Sequence, residues 1–297
     1  MKKIYVVGSI NTDLVIKAPY MPQKGETLTG GGFFTAHGGK GANQAVAAAR
    51  LGGSVVMCGC VGSDGFGKDA LVALRKDGVD TAYVRTVDNT PTGTAVIIVV
   101  DGDNRIILDK GANACLTERD IDVALEGAEK GDIYLTQLEN PIEIIGYGLK
   151  KAKEKGMFVI LNPAPANTEV QPYLSYCDLI TPNETEVGLL GGREKLLGLV
   201  GTLLVTLGGD GFEIITQLCS QKYPCIKITP VDTTAAGDTL CGGLAAMLAE
   251  GKTLEEAARF GSLAASMACT RAGAQPSIPT REELKNNKSI LKEEIDI

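Results

Sequence analysis

The chain has 297 residues, 44% hydrophobic and 22% charged, which is enough apolar material for a sizeable core in an ordinary globular fold. A net charge of −7 and a pI near 5.0 argue against a nucleic-acid partner, whose phosphates call for a basic domain. The one histidine, His37, leaves little material for a Ser-His-Asp or Cys-His device, and no run approaches the ~20 apolar residues of a membrane span. The first residues, Met1-Lys2-Lys3-Ile4, lead directly into a strand, so no signal peptide is expected. Eight cysteines are scattered without a CxxC pair, mostly in apolar runs. They read as buried free thiols in a reducing cytoplasm, and Cys58 with Cys60 alone does not make a zinc site.

In chain order, the apolar run 4–7 ended by Gly8 reads as a buried parallel strand. Asn11 and Asp13 follow at its carboxyl end, where open α/β sheets bind ligands. Two apart, they face the same way on extended backbone. An amide beside a carboxylate suits a polyol, whose hydroxyls donate and accept, although a polar turn has the same composition. Residues 14–18 alternate and 27–34 are Gly- and Phe-rich; with the runs 93–99 and 105–109, joined through Asp101-Gly102-Asp103-Asn104, they predict strands of a small β lid outside the main sheet. The lid spans about 14–36 and 93–110 and covers a cleft. Between its two parts lies His37-Gly38-Gly39-Lys40-Gly41-Ala42-Asn43-Gln44, followed by an Ala-rich helix. The spacing is not that of a Walker A loop, so Lys40 and Asn43 are candidates for sugar hydroxyls at a helix start, and a plain glycine connector is the alternative. His37 reads as a loop or lid residue.

From 54 to 163, strands and helices alternate: strands at 55–57, 133–135 and 159–161, helices at 66–76, 117–129 and 141–155. That pattern predicts a mostly parallel sheet covered on both faces. Glu139, at a strand's carboxyl end, joins Asn11 and Asp13 in one crevice. After a strand at 178–180 come Asn183 and Glu186, three apart on one helix face. They suit either a capping box or water-mediated Mg²⁺ binding beside a phosphate. A strand at 203–207 ends in Gly208-Gly209-Asp210-Gly211, a turn fit for a nucleotide. A strand-like run at 225–228 leads to Val231-Asp232-Thr233-Thr234-Ala235-Ala236-Gly237-Asp238-Thr239, with helices over 237–250 and 254–270 and an exposed last helix. Ala235, Ala236 and Gly237 leave the backbone bare where a helix begins, which makes an anion site of its N–H groups. Asp238 is then either a first-turn acid of the usual kind or a base facing the phosphoryl group its hydroxyl partner attacks.

Seven segments, in this order, resemble the PfkB carbohydrate kinase family and, within it, the ribokinase branch. They are Gly8-Ser9-Ile10-Asn11-Thr12-Asp13, Gly38-Gly39-Lys40-Gly41-Ala42-Asn43-Gln44-Ala45, Gln137-Leu138-Glu139, Asn162-Pro163-Ala164-Pro165, Thr181-Pro182-Asn183-Glu184-Thr185-Glu186, Asp232-Thr233-Thr234-Ala235-Ala236-Gly237-Asp238 and Gly273-Ala274-Gln275-Pro276-Ser277. The resemblance implies a three-layer α/β sandwich of one domain over 1–297 with the β lid, and ATP-dependent phosphorylation of the 5-hydroxyl of D-ribose. Another small neutral sugar, such as 2-deoxyribose or a hexose, or a nucleoside is the alternative acceptor. It implies Asp238 as base, and an anion hole at Ala235, Ala236 and Gly237. The sugar would meet Asn11, Asp13, Gly39, Lys40, Asn43 and Glu139; the nucleotide would lie along Asn183, Thr206, Gly208, Gly211 and Gly237, with Ser262 by the adenine. Glu186 belongs to the Mg²⁺–phosphate motif. An activating K⁺ would fall on Asp232, Thr234, Ala268, Arg271, Gly273 and Ser277, the arginine through its main-chain oxygen alone. A homodimer through the lid is implied as well. Only 22 residues, 184–205, separate Asn183 from Thr206, which puts a packing helix there in question.

Overall fold

The computed structural model describes residues 1–287. The strands are β1 (Lys3–Val7), β2 (Asn11–Lys17), β3 (Gly31–Gly38), β4 (Ser54–Gly62), β5 (Asp80–Val87), β6 (Gly93–Val100), β7 (Asp103–Asp109), β8 (Ile133–Thr136), β9 (Phe158–Leu161), β10 (Leu179–Ile180), β11 (Thr202–Thr206), β12 (Phe212–Thr216) and β13 (Ser220–Tyr223). The helices are α1 (Lys40–Arg50), α2 (Gly65–Lys76), α3 (Glu118–Ala124), α4 (Ile142–Glu154), α5 (Glu184–Leu189), α6 (Arg193–Leu199), α7 (Ala236–Ala249), α8 (Leu254–Ala268) and α9 (Arg281–Asn286).

Alternation along β1 shows why the sheet is buried on both sides. Ile4 and Val6 enter one core, with α1, α2, α7 and α8; Tyr5 and Val7 enter the other, with α3, α4, α5 and α6. The sheet runs β13-β12-β11-β10-β9-β8-β1-β4-β5, and every pairing is parallel except those of β12 with β11 and β13 at one edge. The fold class is thus the expected layered α/β sandwich. A separate sheet, β3-β2-β6-β7, pairs β2 with β6 in parallel and adds β3 and β7 antiparallel. β7 is exposed throughout, and Phe33, Phe34, Ile106 and Ile107 face solvent. No helix among the described residues is long and apolar enough to cross a membrane.

α1 and α7 pack closely because Gly242 has no side chain: a Cβ there would lie 2.5 Å from that of Ala47 and 2.7 Å from the Gln44 carbonyl oxygen. α7 is small-residue-rich on all sides and buried between α1 and α8.

Several sequence expectations need correction. Residues 27–30 are not strand, and the lid begins earlier, at Asn11. Residues 225–228 form no strand; the edge is closed instead by the β12–β13 hairpin, whose polar Ser220-Gln221-Lys222 hid it. β5 carries no apolar run and was also missed. The helix expected over 117–129 ends at Ala124, although its capping box at Thr117 and Asp120 is present. Cys219 is exposed, and Cys115 and Cys225 are half-buried. The short 184–205 segment folds as α5 and α6, the latter tied to β12 by Arg193–Glu213 at 2.9 Å. The last helix is one short piece, α9, and the end of the chain expected to continue it lies outside the described residues.

Candidate active site

The carboxyl ends of the parallel strands deliver the polar groups. β1 ends into Ser9, whose hydroxyl donates to Glu139 Oε2 at 2.5 Å; the Lys40 N–H donates to the same oxygen at 3.1 Å. On β2, Asn11 and Asp13 are both buried, and Asn113 Nδ2 donates to Asn11 Oδ1 at 2.7 Å. Burial, then the charges of Glu139 and Asp238, push the Asp13 carboxyl from 3.8 up to about 6. The predicted sugar residues therefore converge, with Asp13 feeling the charges of two other carboxylates. His37 stands on β3, paired with Thr12.

Asp238 is the third residue of α7 and is buried. Its side chain does not cap its own helix. Oδ2 accepts from Asn43 Nδ2 at 3.0 Å and Oδ1 from Gln44 Nε2 at 2.9 Å, so α1 holds both oxygens. This separates Asp238 from an ordinary first-turn acid. At the start of α7, the Ala236 N–H is engaged with the Thr233 carbonyl at 3.2 Å, and the Thr239 N–H bonds Ala235 O at 2.8 Å. Of the expected anion hole, the Ala236 N–H is thus occupied in a turn, while Gly237 is exposed.

A cavity of about 180 Å³ lies over Asp238, bounded by Lys40, Asn162, Thr181, Asn183, Glu186 and Gly237. The Lys40 ammonium is held above its usual range mainly by Asp238, then by Glu139 and Glu186. Lys40 thus belongs to this cavity as well as to the sugar crevice. Asn183 and Glu186 do form a capping box, each side chain bonding the other's N–H at 2.8 Å. The same Glu186 carboxyl lines the cavity, its pKa raised by burial. The two readings of this pair are therefore compatible: Oε2 caps and Oε1 is left for other work. Asn183 also pairs with Thr206 across the sheet.

Thr206 and Gly237 are shared with a second cavity of about 480 Å³, which Gly208, Gly211, Ile226, Ile228, Leu240 and Ser262 also line. All the predicted nucleotide residues thus fall on two adjoining cavities. The 225–228 run, wrongly read as strand, supplies apolar wall here.

The remaining predicted group touches the smaller cavity through Thr234. Asp232 Oδ1 accepts from the N–H and hydroxyl of Thr234, and Oδ2 from the Gly273 N–H at 2.9 Å. These bonds outweigh burial and hold its carboxyl below the usual range. The Arg271 guanidinium is turned away to Glu283 at 2.8 Å. Ala268 and Ser277 are buried nearby in sequence, the Ser277 hydroxyl donating to Ala274 O. Asn113, Gln44 and Asn162 were not singled out as site residues. Gln44 and Asn162 lay inside quoted motifs, whereas Asn113 had no local signal.

The pfkB family carbohydrate kinase model matches residues 1–281. The chain belongs to that family, whose members are phosphotransferases with an alcohol acceptor. It is 42% identical to a ribokinase of Haemophilus influenzae over 95% of this chain and 97% of that one. It is 36% identical to a deoxyribokinase of Salmonella typhi, over 97% and 99% of the two chains. A solved Arabidopsis thaliana ribokinase complexed with ribose and ATP superposes with a TM-score of 0.85 at 34% identity, covering 99% of each chain.

Proposed function

We propose that this protein transfers the γ-phosphoryl group of ATP to the 5-hydroxyl of D-ribose, giving ribose 5-phosphate. The observation that carries the reading is the buried Asp238, clamped from α1 and placed under a cavity lined by Lys40 and a helix N-terminus. The likeness to ribokinases along the whole chain agrees with it.

The sugar binds in the crevice of Asn11, Asp13, Gly39, Lys40, Asn43 and Glu139. The lid strands β2, β3, β6 and β7 close over it and exclude water. Asp238 accepts the proton of the 5-hydroxyl as that oxygen attacks the phosphorus in line. The Lys40 ammonium and the N–H groups of Ala235 and Gly237 offset the charge that builds on the transferred group. Adenosine occupies the larger cavity along Thr206, Gly208, Gly211 and Ser262.

The free carboxyl oxygen of Glu186 and the Asn183 amide are hard oxygen donors beside this cavity, and they fit a hydrated Mg²⁺, which would neutralise phosphate charge. Asp232 is bonded to Thr234 and to the Gly273 N–H, and its ionised carboxylate, with Thr234, Ser277 and the carbonyls of Ala268, Arg271 and Gly273, would supply oxygen donors alone, the Arg271 guanidinium being engaged by Glu283. They fit K⁺, which would fix the loop before α7. The exposed apolar side chains of the lid suit a homodimer formed through it, and the unpaired cysteines suit the cytoplasm. We read no nucleic-acid or membrane partner.

A labelled-ATP assay over ribose, 2-deoxyribose, hexoses and nucleosides, with and without K⁺, tests this. Ribose is expected to show the highest kcat/KM, and a higher value for another acceptor overturns the substrate assignment. The deoxyribokinase relative makes 2-deoxyribose the comparison that matters most.

A further inference from the structure

We propose that Gln44 is a positioning residue for the Asp238 carboxylate, and that Gln137 locks Gln44 in turn. The inference rests on the reading of Asp238 as the base. Gln44 is fully buried on α1, and every polar atom of its amide is used. Nε2 donates to Asp238 Oδ1 at 2.9 Å and to Asn162 Oδ1 at 3.1 Å, while Oε1 accepts from Gln137 Nε2 at 2.7 Å. The orientation of this amide follows from its partners: an ionised carboxylate only accepts, so the nitrogen must face Asp238. Asn162 donates its own Nδ2 to the Thr181 carbonyl at 3.0 Å, which turns its oxygen toward Gln44. Gln137 fits because residue 8 is glycine; a Cβ there would lie 2.2 Å from Gln137 Oε1. A buried chain of contacts thus runs from the end of β1 through Gln137 and Gln44 to the first turn of α7.

The two amides on Asp238 differ in what else they touch. Asn43 leaves its one side-chain oxygen, Oδ1, buried without a partner, and it stands in the expected sugar set. Gln44 lines neither the phosphate cavity nor the nucleotide cavity. With Asn43 on one oxygen and Gln44 on the other, the plane of the carboxylate is fixed before the sugar arrives. A base takes a proton efficiently only when its lone pair already points at the donor, so loss of this clamp should lower turnover and leave affinity alone.

The test is Gln44→Met, which keeps length and apolar volume and removes the hydrogen bonds. We expect kcat to fall ~10–100-fold while KM for ribose and for ATP stays within about threefold. Gln137→Met should give a smaller fall in kcat of the same kind, and the double variant should fall no further than Gln44→Met. In an Asp238→Asn background, Gln44→Met should cause no further loss, because no carboxylate remains to orient. A purely structural role would carry an added loss into that background. A kcat for Gln44→Met within about twofold of the parent, a rise in KM alone, or a full added loss in the Asp238→Asn background each overturns the proposal. If Gln44→Met does not fold by near-ultraviolet circular dichroism, Gln137→Met decides by the same kcat and KM criteria. Near-parental turnover of Asp238→Asn would overturn the base assignment instead, so the two failures are distinguishable.

Discussion

Asp13→Asn should make the ligand-free protein more stable at neutral pH while weakening its hold on the sugar. Asp13 is 8% exposed, and burial together with Glu139 and Asp238 moves its pKa from 3.8 to about 6. Because the folded value lies above the unfolded one, the carboxyl's contribution to stability is whole at low pH. It is lost as pH rises through about 6. A shift of that size corresponds to ~3 kcal/mol at neutral pH, an upper figure for what the neutral asparagine recovers. Each kcal/mol is worth ~2–4 °C in a chain somewhat shorter than this one, so a rise of several degrees in Tm is expected. Loss of a charged acceptor for a sugar hydroxyl costs ~1.5–3 kcal/mol, or ~10–150-fold in kcat/KM for ribose. In the parent, that same kcat/KM should fall as pH drops through about 6 and Asp13 takes a proton. The assay is thermal unfolding without ligands between about pH 4.5 and pH 8, with steady-state kinetics on both proteins. A variant less stable than the parent at neutral pH, or one with the same pH slope, would refute the argument.

Three further substitutions probe the cavities. Asp238→Asn should keep ribose binding by calorimetry and lose at least ~10²–10⁴-fold in turnover; a variant with near-full turnover removes Asp238 from the base role. Gly237→Ala adds a methyl that meets no atom within 4 Å, so Tm should hold or rise. That methyl projects where the phosphates would lie, and KM for ATP should rise ~10-fold or more; an unchanged KM would speak against this helix end as the phosphate site. Glu186→Gln keeps an acceptor for the Asn183 N–H but loses the charge, so stability should change by less than ~0.5 kcal/mol. The Mg²⁺ needed for half-maximal activity should rise ~10-fold, and a parental Mg²⁺ curve would contradict the assignment of Glu186.

The lid shows how far local pattern reaches. Alternation at 14–18 and the run at 93–99 predicted strands, and the register of β2 put Asn11 and Asp13 on one side as their spacing required. The β12–β13 hairpin escaped notice because an edge strand needs no apolar run, whereas 225–228 looked like a strand and instead lines a cavity.

Sequence by itself determined the layered α/β architecture, the family, the strand-end position of Glu139 and the helix-start position of Asp238, because side-chain periodicity and motif order are properties of the chain alone. Tertiary structure decided what those groups face. Gly242 lets α1 approach α7, and only that approach brings Asn43 and Gln44 onto the Asp238 carboxylate across some two hundred residues of chain. The packing also buries Asp13, near Glu139 and Asp238, which pushes its carboxyl up to about 6, and it gives Glu186 both a cap and a cavity to serve. Contacts of that range depend on how whole elements pack, and spacing within a segment carries no record of them.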